Sequence, residues 1–113
     1  MSVAQSQGNW VTVAERSALA PDSAIGVTVG KLDIAVYNVG GQLYATDNIC
    51  PHAYGYLHHG WLEGEVIECP LHGARFEVKT GKGIDGPFEC DLKTFAVRVV
   101  GEEIQVEVPA DSP

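Results

Sequence analysis

Basic side chains are scarce: seven Lys and Arg stand against fifteen Asp and Glu, a formal charge of −8. Binding nucleic acid requires a basic face to neutralise phosphates, so this composition excludes a nucleic-acid partner. Long apolar runs are also missing. None approaches the ~20 residues of a membrane-spanning helix, and Met1 to Asn9 do not form a signal peptide, so no membrane partner is expected. Cysteine is sparse and odd in number: Cys50, Cys69 and Cys90. Without an export signal this points to a reducing cytoplasm, where paired cysteines serve metals more often than disulfides. Helical periodicity is nearly absent, and only Val13-Ala-Glu-Arg-Ser-Ala-Leu19 suggests a short helical turn. A chain of 113 residues is expected to form one domain, 1–113, and is too short for a β/α barrel.

What the chain does have is alternation. Trp10-Val-Thr-Val13, Ile25-Gly-Val-Thr-Val29 and Leu32 to Val36 read as strands. Gly40-Gly41 separates Ile34–Val39 from Leu43-Tyr-Ala-Thr46 and predicts a hairpin with a tight primed turn. Glu63-Gly64 predicts a shorter hairpin between Trp61-Leu62 and Val66-Ile67. Arg75-Phe-Glu-Val78 runs into a glycine turn, and Thr94 to Val100 pairs with Ile104 to Val108 across Gly101-Glu102-Glu103. The fold class is all-β, a small antiparallel sandwich or barrel.

Two stretches break this pattern, Asn48 to Gly60 and Glu68 to Ala74, both crowded with Cys, Pro, His and Gly. Ile49-Cys50-Pro51-His52 resembles Glu68-Cys69-Pro70-Leu71-His72-Gly73, as though two arms close on one object. Each arm offers one thiolate and one imidazole at a spacing that lets both reach a single metal site. Structural zinc is one alternative, although mixed Cys–His pairs at these spacings are unlike its usual patterns. A Cys50–Cys69 disulfide is another, but it leaves the histidines without a role. A [2Fe–2S] cluster with two Cys on one iron and two His on the other suits the pattern best.

With these motifs the chain resembles a Rieske-type [2Fe–2S] ferredoxin of bacterial aromatic-ring-hydroxylating dioxygenase systems. The likeness runs from Trp10 to Val108 and is most specific in three segments. These are Ala45-Thr-Asp-Asn-Ile-Cys-Pro-His52, Gly60-Trp-Leu-Glu-Gly64 and Ile67-Glu-Cys-Pro-Leu-His-Gly73. It implies a base of strands carrying an inserted cluster-binding subdomain, residues 46–88, with two ligand loops. Cys50 and Cys69 would hold the inner iron, and His52 and His72 the outer iron near the surface. Gly86-Pro87-Phe88 would supply a third loop beside the cluster. The implied function is a soluble, monomeric, non-catalytic one-electron carrier in the cytoplasm. It would take electrons from an NAD(P)H-dependent flavin reductase and pass them to a terminal oxygenase. Two other readings are carried beside it: the small subunit of an assimilatory nitrite reductase, and a zinc-stabilised β interaction module. The oxygenase subunit itself is not expected, because its Rieske domain is followed by a catalytic one.

The remaining candidates read more plainly. His58 and His59 are expected at a solvated loop tip, Trp61 and Phe76 in core or loop packing, and Cys90 as a small buried hydrophobe. Tyr54 and Tyr56 also depart from the usual family pattern. Asp85, Glu89 and Asp91 form an acidic run expected to be solvated. High-potential Rieske subunits carry an additional cysteine in each ligand loop and hydroxyl donors after the second histidine. Here those positions are Gly55, Leu71, Ala74 and Phe76. None of these side chains donates a conventional hydrogen bond to sulfur, which favours the oxidised cluster.

Overall fold

The computed structural model describes residues 8–50, 55–70, 73–84 and 91–109. His52, Tyr54, Leu71, His72, the third loop at 86–88, Asp85, Glu89 and Cys90 lie outside the described residues.

The described strands, in chain order, are β1 (Gly8–Glu15), β2 (Ser23–Val29), β3 (Leu32–Val39), β4 (Gln42–Asp47), β5 (Trp61–Glu63), β6 (Val66–Glu68), β7 (Arg75–Glu77), β8 (Thr94–Phe95), β9 (Val97–Val100) and β10 (Glu103–Pro109). They form three antiparallel sheets in the orders β1-β10-β9, β2-β3-β4-β8 and β5-β6-β7. The third sheet falls between β4 and β8 in sequence, as an insertion into the base would. The expected helical turn is shorter than the sequence suggests. β1 continues through Glu15, and only Arg16–Ala18 turns, as a 3-10 helix. Pairing with β10 outweighs helical propensity there: Val11 faces Val106 and Ala14 faces Ile104, with Val13 at the irregularity between them.

Glycine chemistry sets the hairpins. Gly40 and Gly41 both have positive φ, +60° and +101°, as a primed turn with two left-handed residues requires. The β5–β6 turn is Gly64-Glu65 rather than Glu63-Gly64, because Glu63 pairs directly with Val66. Gly64, at φ +61°, takes the first central position, the place that only glycine fills at no steric cost.

β3 divides the protein into two cores. Ile34 and Val36 point to one side, among Leu19, Ala45, Phe95, Ile104, Val106 and Val108. Ala35 and Tyr37 point to the other, among Cys50, Leu57, Ile67, Cys69, Phe76, Val78 and Leu92. Residues 34–37 are fully buried, so this strand reads as a continuous apolar run instead of a polar–apolar alternation. Buried polar groups on the strand are satisfied. Tyr37 hydrogen-bonds Thr46 Oγ1 at 2.8 Å, and Asn38 donates to the Leu19 carbonyl and accepts from the Gly41 N–H. Burial pushes the Tyr37 phenol well above its usual range, with the Thr46 bond partly opposing, so it stays protonated.

Gly81 fastens the second core to the returning chain. Its N–H donates to Glu77 O and its carbonyl accepts from Leu92 N, each at 2.7 Å. It has φ +82°, and an added Cβ would collide with the Leu92 carbonyl. Gly40 has a similar φ but open space around it. Gly81→Ala is therefore expected to lower the thermal unfolding midpoint more than Gly40→Ala, whose cost is the left-handed backbone alone, about 1–2 kcal/mol. Equal losses in the two variants would contradict the close approach at Gly81.

Candidate metal centre

Cys50 and Cys69 stand beyond the ends of strands in different sheets, and the two chain segments are closed by the same hydrogen bond. The Cys50 N–H donates to Gly55 O at 2.8 Å, and the Cys69 N–H donates to Ala74 O at 2.7 Å. In both, a cysteine opens the turn and the residue five positions on closes it. Beyond the closure, Ile49 bridges Tyr56 in the first turn, and Glu68 pairs with Arg75 in the second. The internal resemblance read from the sequence is thus matched by a repeat of the hydrogen bonds that close the two segments. The Gly73 N–H adds a bond to Cys69 O at 3.1 Å, with Gly73 at φ +73°.

Gly60 brings the exit of the first turn against the entry to the second. A Cβ on it would collide with the Glu68 carbonyl, one residue before Cys69. Cys50 and Cys69 are both fully buried, belong to the same core and are not joined as a disulfide. Leu57, Ile67, Phe76 and Val78 surround them with apolar surface. Buried thiols in a dry core, each followed within three residues of sequence by an imidazole, suit iron held by soft donors. Among the described residues no three His, Cys, Asp or Glu side chains converge as a complete metal site. His52 and His72 lie outside those residues, so the two thiols are the half of the expected donor set that is described.

Two expectations need correction. Trp61 is not core packing; it is 61% exposed. The register explains why: Leu62, Ile67 and Phe76 are paired across the sheet and face inward, which leaves Trp61, Glu68 and Arg75 as the paired row on the other face. Phe76 is buried as expected. His58 is not a solvated tip either. Its Nδ1 lies 2.8 Å from Asn48 Nδ2, and its backbone N–H donates to Asn48 Oδ1 at 2.9 Å. Gly26 on β2 makes room for the ring, since a Cβ there would sit 2.5 Å from His58 Nδ1. His59 is exposed as expected, and Asp91 is exposed while accepting the Gly83 N–H.

Asn48 is the site residue that composition and motif did not single out. It is 2% exposed and two residues before Cys50. Besides its two side-chain bonds to His58, its N–H donates to Asp33 O and its carbonyl accepts from Leu57 N. Its partners lie on separate elements, so the only sequence signal was its place inside the Asn48-Ile-Cys50 string.

A family model described as the Rieske [2Fe-2S] domain matches residues 9–96. The ferredoxin component of the naphthalene 1,2-dioxygenase/salicylate 5-hydroxylase systems of Ralstonia sp. is 39% identical over 100 residues, covering 88% of this chain and 96% of the relative. A solved complex of reduced oxygenase and oxidised ferredoxin in carbazole 1,9a-dioxygenase includes a chain 39% identical, with TM-score 0.83, covering 90% of this chain and 95% of that one. A Mycobacterium tuberculosis protein described as the small subunit of an NADH-dependent nitrite reductase is 22% identical, with TM-score 0.81, covering 91% of this chain and 97% of that one; it shares the fold.

Phe76 is buried in the same core as Cys50 and Cys69 and so supports both segments. Phe76→Ala is expected to cost about 3–5 kcal/mol through the cavity it leaves. It should also lower the iron content of purified protein, measured beside the thermal midpoint. Wild-type iron content together with an unchanged midpoint would contradict that support.

Proposed function

Because the chain belongs to the Rieske [2Fe-2S] domain family, we propose that Cys50 and Cys69 ligate the inner iron of its cluster and His52 and His72 the outer one. The cofactor is a Rieske-type [2Fe–2S] cluster. The protein is an electron carrier, the ferredoxin component of an aromatic-ring dioxygenase system, and not itself the catalyst. One observation supports the ligand assignment above all: two fully buried thiols share one core, each opening the same five-residue closure. When bound, the cluster takes up and gives back one electron.

The chain's own residues hold the thiolates out of water and fix the backbone on either side of them. Residues 46–88, spanning both cysteine turns and the β5-β6-β7 sheet, form the cluster-binding subdomain of one domain, 1–113. The electron acceptor is a terminal oxygenase. An NAD(P)H-dependent flavin reductase is the donor, and the carrier works as a monomer in the cytoplasm. Among the described residues no helix is long and apolar enough to cross a membrane. The nitrite reductase reading rests on likeness of fold alone, and the zinc module lacks the support that the family match gives the cluster.

Ligation is tested by substitution. His72→Ala and Cys69→Ser should each abolish the Rieske electron paramagnetic resonance signal and lower stability, because metal binding and folding are coupled. A full-strength signal in either variant would refute the assignment.

The midpoint potential tests the electrostatics. Ala74 and Phe76 lack hydroxyl donors, and the −8 charge opposes electron uptake, so the potential should lie near the low end of the Rieske range, on the order of −150 mV. Ala74→Ser with Phe76→Tyr should raise it by about 22 mV for each 0.5 kcal/mol of hydrogen bonding gained. A wild-type midpoint well above zero would overturn this assignment of causes.

A further inference from the structure

We propose that His58 is a positioning residue for the first cysteine turn, working only as the neutral Nε2–H tautomer, so that protonating it opens the Asn48 clamp behind Cys50. The proposal rests on the ligand reading of that turn.

The clamp has a fixed polarity. Asn48 Oδ1 accepts the His58 backbone N–H, which can only donate. The amide is thereby oriented, and its Nδ2, a pure donor, faces His58 Nδ1 at 2.8 Å. Nδ1 must therefore carry a lone pair. Turning the Asn48 amide over gives no escape, because its NH₂ would then face the backbone N–H. Either orientation loses one bond once Nδ1 is protonated, and water cannot readily replace it at a side chain that is 2% exposed. The same asparagine accepts the Leu57 N–H on its carbonyl, so the clamp, that bond and the Ile49–Tyr56 bridge form one continuous ladder from residue 48 to Cys50.

The surroundings also disfavour the cation. The His59 ring centroid lies 4.2 Å from that of His58, and Tyr56 lies 5.8 Å away. β2, packed against this segment, contributes no ionisable side chain. Its other packed neighbour, β3, contributes Asp33, whose carboxylate accepts from Thr28 Oγ1, and Tyr37, whose buried phenol stays protonated. Asp47, beside Asn48, accepts the Lys93 N–H. Burial first, then the charge of His59, holds the imidazole below its ordinary value of 6.5. The unfolded chain therefore takes up this proton before the folded one. The contribution of His58 to stability is complete above the unfolded value and falls as pH drops towards the lowered folded value.

The test compares wild type with His58→Asn, whose Oδ1 falls near the place of Nδ1 and does not titrate, and with His58→Leu, which has no acceptor. The rate of loss of the visible cluster absorbance is followed from pH 7.5 to 5 in holoprotein. Wild type should bleach about tenfold faster at the acid end relative to His58→Asn, the fold-change expected for one buried bond lost. His58→Leu should bleach fast throughout, with little added acid dependence. An unchanged acid limb in His58→Asn, or wild-type behaviour of His58→Leu at pH 7.5, overturns the proposal. Slow exchange of the His58 backbone amide at neutral pH, lost in Asn48→Ala, tests the clamp without reference to ligation. If the ligand assignment fails, the ligand variants keep their signal while this amide result still stands; rapid exchange in wild type overturns the clamp itself.

Discussion

A single strand buried on both faces ties the base of this protein to its redox site. Ile34 and Val36 complete the core between the outer sheets, while Ala35 and Tyr37, alternating with them, complete the core that contains Cys50 and Cys69. Because side chains alternate along a strand, neither core can shift its register without disturbing the other. The base therefore serves as a rigid platform, and the thiols inherit their position from it.

The two cysteine turns meet on this platform with matching closures. Each closes through its own cysteine N–H, which keeps a buried backbone donor satisfied at the point where the chain leaves regular pairing. Gly60 then lets the first turn approach the second to backbone contact. Steric permission at that glycine lets the two cysteine turns lie against each other. The outer face of the small sheet keeps Trp61, Glu68 and Arg75 as a paired row.

Local signals carried most of the fold. Alternation located the strands and glycines the hairpins, with two departures set by pairing: the β5–β6 turn is displaced by one residue, and Thr94 to Val100 divides into β8, paired with β4, and β9, paired with β10. The ligand motif was legible because four chemically distinctive residues stand at short, repeated spacings. Non-local facts were not legible. Trp61 is large and apolar, yet the register turns it outward. His58 looked like solvated polarity, yet Gly26 and Asn48, which are distant in sequence, build a site for it. Asn48 itself carried no chemical distinction until its partners were assembled around it.

Mixed ligation by thiolate and imidazole is what separates this electron carrier from a four-cysteine ferredoxin, and the histidines are the half of the donor set to examine. Pulsed electron paramagnetic resonance on dithionite-reduced protein with ¹⁵N-labelled histidine examines them directly. Two strongly coupled histidine nitrogens are expected, both retained in His58→Asn and both lost, with the Rieske signal itself, on replacing His52 or His72. A spectrum without histidine coupling, or one in which the couplings survive both replacements, would contradict the assignment.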